Sequence, residues 1–296
     1  MRLHMDSLRD KTSSKLIRKA LEILPKGSDA LDLAYHGAMQ RVEDQMEGVR
    51  VLAKQLLGWL TYSERLMTVE EIQHALAVEP GMPDFDEDNL GDIDEIVGFC
   101  AGLVIIDEET QIIRLVHYTT QEYFRRNCDK ILTSAQQDIA ISCLTCLLYE
   151  EYRDGWVVEV EKEKNIEGDN GEDAPRKEDE YEHEEFFRPW SGKSRKSVEA
   201  RVQNYPFLEY AARYWATHAR LCEQPNVTEL MMTFVKDDCL VSSASQVLFF
   251  LDGELDILEM FDRIKSRSSL SAMHVLAYLG FEKTDIRAFE SRDRGK

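Results

Sequence analysis

Residues 103–124, LVIIDEETQIIRLVHYTTQEYF, constrain the fold of this chain more than any other stretch. Val104, Ile105 and Ile106 form a short apolar run of strand-forming residues. Asp107 to Thr110 supply a polar turn with no hydrophobe, and Ile112 to His117 resume an apolar run of strand length. The pattern predicts strand, tight acidic turn, strand, then a short helix. A two-stranded hairpin is marginal by itself, so the residues before it must supply what it packs on.

They supply helices. Residues 48–61 predict a helix with Val49, Leu52, Leu56 and Leu60 as its buried stripe and Arg50 and Lys54 facing out. Thr68-Val69-Glu70-Glu71 is a helix start in which Thr68 caps the amide of Glu71 and Glu71 reaches back. That helix turns Val69, Ile72, Ala75 and Leu76 inward and stops by Pro80-Gly81. After the acidic loop PDFDEDNLGD, a third helix over about residues 93–101 carries Ile93, Ile96, Val97 and Cys100 and ends at Gly102, a residue suited to a left-handed cap. Three helices followed by a two-stranded wing spell a winged helix, with the second and third as its helix-turn-helix pair. The predicted fold class is mainly α: a winged helix with a small two-stranded β wing, then an α-helical stack leading into an ankyrin-like unit.

Such a fold commonly reads DNA, and these residues oppose that use. Between Leu66 and Ile113 there is no Lys or Arg. The recognition-helix position opens with Asp92, Asp94 and Glu95, and the wing tip is Asp107-Glu108-Glu109. Base reading and phosphate contact both need cations there. The whole chain carries a net charge of -20, which argues equally against an anionic membrane surface. Nor does any run approach the roughly 18 apolar residues of a membrane span. Six cysteines scattered through helical or strand patterns point to free thiols in a reducing, cytoplasmic setting.

The run 67–81, MTVEEIQHALAVEPG, together with 115–124, LVHYTTQEYF, closely resembles the fungal NACHT-ankyrin proteins, in which a NACHT nucleotide-binding module precedes a winged helix and an ankyrin array follows. In that family the winged helix domain is also named after GPI inositol-deacylases. The resemblance implies a switch NTPase of the STAND type, serving non-self recognition, heterokaryon incompatibility or programmed cell death, with the winged helix relaying nucleotide state to protein-binding repeats. The sequence has no Gly-x-x-x-x-Gly-Lys-Ser/Thr to cradle phosphates and no Gly-x-Ser-x-Gly nucleophile elbow. The expectation is therefore a non-enzymatic piece with no catalytic residue, no metal and no cofactor of its own, ATP or ADP entering only in a full-length parent. Its expected partners are proteins, including NACHT and ankyrin modules of its own family. The alternative from another class is a DNA-binding transcriptional regulator.

One site residue follows from the resemblance. In NACHT-type switches the His of His-x-Ser/Thr-x-Gln-Glu-Tyr/Phe contacts the β-phosphate of bound ADP. His117 holds that place, with Thr119, Gln121, Glu122 and Tyr123 after it. An imidazole can donate to a phosphate oxygen. The competing reading is a core histidine, since Ile113, Leu115 and His117 share a strand face.

Other patterns carry plainer meanings. Cys143-Leu144-Thr145-Cys146 has redox or zinc spacing but lies in a helical pattern without a second ligand pair, so it reads as two core thiols. Asp84, Asp86, Asp88 and Glu95 imitate a calcium loop, yet Asn89 replaces its glycine, and Pro80 and Pro83 stand where the entering helix is needed.

The predicted organisation runs as follows. Residues 1–46 resemble the last helices of a NACHT-type module, and 47–125 are the winged helix. Residues 126–152 are a helical extension, and 153–200 an acidic flexible insertion that is either a solvated spacer or a recruitment segment for a basic partner. Residues 201–266 are a helical connector in which Leu208, Ala211, Trp215, Ala219 and Cys222 form a packing stripe. Residues 267–296 hold an incomplete ankyrin-like repeat, SAMHVLAYLG at 271–280, and a charged tail. One repeat cannot bury its own face, so the chain is expected to be a fragment or a shortened gene product.

Overall fold

The computed structural model describes residues 13–23, 28–154, 192–222 and 224–252. Helices α1 (Ser14–Ile23) and α2 (Ser28–Glu43) precede α3 (Glu47–Tyr62). Strand β1 (Met67–Thr68) leads straight into α4 (Val69–Ala77), and α5 (Ile93–Phe99) completes the helical part of the winged helix. The wing is β2 (Val104–Asp107) and β3 (Ile112–Leu115). Then come α6 (Tyr118–Arg126), the single turn α7 (Cys128–Ile131) and α8 (Ala135–Leu147). Beyond residue 191 lie α9 (Gly192–Asn204), α10 (Phe207–Arg220), α11 (Pro225–Lys236) and α12 (Asp238–Asp252).

The fold class stands, with one addition. The wing is two strands, but the sheet has three, in the order β1-β3-β2, all antiparallel. Met67 pairs with Ile113 and Thr68 with Ile112. A two-residue strand leaves no alternation to read, so sequence periodicity cannot reveal it. Thr68 both ends that strand and caps α4: its hydroxyl accepts from the Glu71 amide at 3.2 Å, and Glu71 accepts from the Thr68 amide at 2.8 Å. The predicted capping box is present.

Two turns set the wing. Ala101 and Gly102 both take left-handed backbone angles, φ 50° and 81°, and swing the chain from α5 into β2. At the tip, Asp107 accepts from the amides of Glu109 and Thr110 at 3.1 and 3.2 Å. The Thr110 amide chiefly holds this carboxyl below its ordinary range.

The buried face of α3 differs from the expected stripe of Val49, Leu52, Leu56 and Leu60. Ala53, Leu56, Leu57, Gly58, Trp59 and Thr61 are buried, Leu52 and Leu60 are half-buried, and Val49 is no more than partly covered. A one-face stripe presumes one covered side. Here α5 and β3 cover one side of α3 while α8 covers another. Gly58 permits that approach: a Cβ there would lie 2.9 Å from the Ala135 Cβ.

The winged helix and the later helices share one core, which runs from Tyr35 to Leu248 and takes in the predicted stripe of α10. Among the described residues the most extensive helix contact is α8 on α10, with α11 also against α8. Trp59 of α3 meets the rings of Phe207 and Tyr210 edge-on at 5.3 and 5.7 Å. Helix α9 starts at Gly192, inside the stretch 153–200 expected to be an acidic insertion; Val198 is buried, which an insertion of that extent would not provide. Residues 155–191, the end of the helical connector expected over 201–266 and the ankyrin-like pattern at 271–280 lie outside the described residues.

Candidate functional site

His117 is not a core histidine. Strand β3 ends at Leu115, so the alternation that buries Ile113 and Leu115 does not continue to His117, which is exposed and caps the start of α6. Its Nδ1 accepts from the Thr119 amide at 3.3 Å and lies 2.8 Å from the Thr119 hydroxyl. That hydroxyl is in turn 2.6 Å from the hydroxyl of Tyr35 on α2. The imidazole rests on the ring of Tyr118, 4.4 Å between centroids.

His117 lines an open cleft of about 340 Å³. Arg65, Arg114, Tyr118 and Gln121 line it too, and no Asp or Glu is among the lining residues. In a chain of net charge -20 this is a local reversal of sign. Arg65 is engaged: it forms a two-point bond to Glu71 at 2.9 and 2.6 Å, which raises its pKa, and approaches Glu209 at 3.8 Å. Arg114 is exposed at the rim. The cleft can therefore offer an imidazole and a guanidinium to an anion. Its other ingredients, the half-buried Gln121 and the exposed Leu66 and Tyr118, suit a planar or apolar neighbour of that anion.

A second group ties the cleft to the rest of the molecule. The Arg65 guanidinium lies over the Tyr210 ring at 5.4 Å. The Glu64 amide donates to the Tyr210 hydroxyl at 3.0 Å, and that hydroxyl donates onward to His218 Nε2 at 2.9 Å, because the Gln136 oxygen beside Nδ1 can only accept and so places the imidazole proton there. His218 Nδ1 then carries the proton and donates to Gln136 at 3.2 Å. His218 is fully buried, and burial pushes its pKa down to about 4. The loop after α3 is thereby bonded to α10 and α8.

Sequence reasoning missed this group and Phe85. The acidic loop exposes Asp84, Asp86, Glu87 and Asp88. Phe85 anchors it, stacked on His74 at 4.8 Å and set edge-on to Tyr205 at 6.1 Å. Asp86 and Asp92 act as caps, accepting from the amides of Asp88 and of Asp94 and Glu95. Cys143 and Cys146 are buried among apolar side chains, which pushes both thiols up, and no cysteine forms a disulfide. Among the described residues, no three His, Cys, Asp or Glu side chains gather to hold a metal ion, and no helix is long and apolar enough to cross a membrane.

Three helices, a short strand between the first two, and a wing closing a three-stranded sheet define a winged helix. Residues 40–142 match the family model of the GPI inositol-deacylase winged helix domain. The match reaches from the end of α2 into α8, beyond the 47–125 expected from motifs. No curated protein and no solved structure matches the chain.

Proposed function

We propose that this chain is a non-catalytic regulatory segment of a NACHT-ankyrin signalling NTPase, of the fungal non-self recognition or cell-death type. In this reading His117 reports on a nucleotide held by a NACHT module, and the shared core passes the module's state to the C-terminal helices and their protein partners. The observation that carries the reading is the setting of His117: an exposed cap in a cleft without carboxylates, on a winged helix bonded through Arg65 and Tyr210 to the helical stack. The sequence given has no Gly-x-x-x-x-Gly-Lys-Ser/Thr cradle. His117, with Arg114 beside it, would meet the phosphates of ADP while another module holds the rest. Each would supply a charge-assisted or imidazole hydrogen bond to a phosphate oxygen.

The test is ADP binding by a polypeptide in which this chain follows a NACHT module. His117→Ala should weaken ADP at least several-fold, and unchanged affinity would remove the nucleotide from the account. The DNA-reading alternative has its own assay. Fluorescence anisotropy with a labelled duplex at low salt should give no salt-sensitive binding, because α5 and the wing tip present Asp92, Asp94, Glu95, Glu108 and Glu109.

A further inference from the structure

A short chain of hydroxyl groups runs from α2 to the cleft, and its direction can be assigned. The Thr119 amide can only donate, so His117 Nδ1 accepts from it and carries no proton. A Thr119 hydroxyl that faced this nitrogen without donating would set lone pair against lone pair at 2.8 Å, so the hydroxyl also donates to Nδ1. Its oxygen is then left to accept, and the Tyr35 hydroxyl, 2.6 Å away, donates to it. The order is Tyr35 to Thr119 to His117. A neutral imidazole held in this way keeps its proton on Nε2.

We infer that Tyr35 and Thr119 are positioning residues for His117: they lock its ring as an Nε2–H donor and make that lock depend on α2 being seated against α6. The consequence for anion contact rests on the reading of His117 given above, whereas the lock itself is a property of the free chain. Tyr35 is buried and packs its ring on Tyr123 of α6 at 5.4 Å. Ala38, Met39 and Val42 also bury α2 in the shared core, and its exposed side adds Asp32 to Arg126 at 2.9 Å and Arg41 donating to the Ala101 carbonyl at 3.2 Å. The loop after it adds Gln45, which donates to the Phe99 carbonyl at 2.7 Å. Displacing α2 withdraws the Tyr35 donor. Because a donor upstream polarises the next hydroxyl and strengthens its bond, the Thr119 bond to Nδ1 weakens with it. Helix α2 lies in the stretch 1–46 that resembles the end of a nucleotide-binding module. Motion of such a module would therefore reach His117 through Tyr35, which is itself part of the shared core.

The experiment is nitrogen-15 NMR of the histidine-labelled full chain at about pH 8, where an ordinary imidazole is neutral. Seven histidines give a resolvable spectrum, and His117 is assigned by the signal lost in His117→Gln. The expected result is an Nε2–H tautomer in the unmodified chain. Thr119→Val removes one of the two donors to Nδ1 and leaves the amide, so it should move the Nδ1 resonance towards that of a nitrogen with a weaker hydrogen bond, and Thr119→Ser should restore it. Tyr35→Phe keeps the ring packing and never touches His117, yet should move its Nδ1 resonance the same way by a smaller amount. A proton on Nδ1 in the unmodified chain, or His117 nitrogens unmoved by both Thr119→Val and Tyr35→Phe, would overturn the inference. In a polypeptide with a NACHT module, Thr119→Val should weaken ADP about 2- to 12-fold, the loss expected for one ordinary hydrogen bond. The free chain carries the tautomer readout, so an ADP affinity indifferent to His117 would sink the nucleotide reading alone.

Discussion

The two sides of this winged helix have been put to opposite uses. On one side, α5 and the wing tip carry Asp92, Asp94, Glu95, Glu108 and Glu109 into solvent, with Asp92 and Asp107 spent on capping their own turns. On the other, α3 and α4 are closed over by α8 and α10, with Trp59, Phe207 and Tyr210 interlocked. In a DNA reader the first surface would do the recognising and the second would be dispensable cover. Here the burial, the ring contacts and the hydrogen-bond network are concentrated on the second. The comparison teaches that fold and surface charge are separable: the same frame of helices and wing can be a reader or a structural coupler, depending on which face gains partners.

The comparison breaks most readily at Trp59. Trp59→Ala empties a site between α3 and α10 and should cost about 3–5 kcal/mol, measured by urea denaturation. Removal of the exposed Glu108 or Glu109 should stay within about 0.5 kcal/mol. An equal cost on both sides would erase the asymmetry.

A pH titration sharpens it next. Burial holds His218 at about 4, whereas an unfolded histidine titrates near about 6.5. The unfolded chain takes the proton first. Stability linked to this ring is therefore complete above about pH 6.5, falls as the pH drops, and levels off below about 4, a loss on the order of 3 kcal/mol. His218→Gln should flatten that part of the pH dependence relative to the unmodified chain.

Arg65→Ala comes third. It leaves the nearly buried Glu71 without its two-point partner and removes the cation over Tyr210, for an expected cost of about 1–3 kcal/mol once the partial exposure of Arg65 is allowed for. Gly58→Ala comes last, about 1–2 kcal/mol: the Cβ of Ala135 has no rotamer to turn away, so α8 itself must shift, and the better helix propensity of alanine offsets part of that cost. If Gly58→Ala cost nothing, α3 and α8 would not be as close as described.

Much of the frame was legible in the sequence, and the failures have distinct causes. The capping box at Thr68 and Glu71, the polar turn at Asp107 and the stripe ending at Cys222 are local signals, each complete within a few residues. The α3 stripe misled because two sides of that helix are covered, which no single-face pattern can encode. His117 was found through its motif but wrongly given a core reading as one alternative, since strand alternation does not say where a strand stops. The partners Tyr35 and Thr119 lie 84 residues apart, and Glu64 and Tyr210 lie 146 apart. Bonds of that range leave no trace in spacing. A His-x-Thr pair at a helix start was the one available hint, because the threonine hydroxyl can reach back to the ring.

Hydrogen exchange across the whole chain after Phe207→Ala tests the central claim most directly. This substitution loosens α10 without touching the wing. If the winged helix and the helical stack are one cooperative body, the amides of Ile113 in β3 and of Val116 just after it must lose protection in step with those of α11. A wing that keeps its full protection while α10 and α11 open would show two independent domains with no coupling between them.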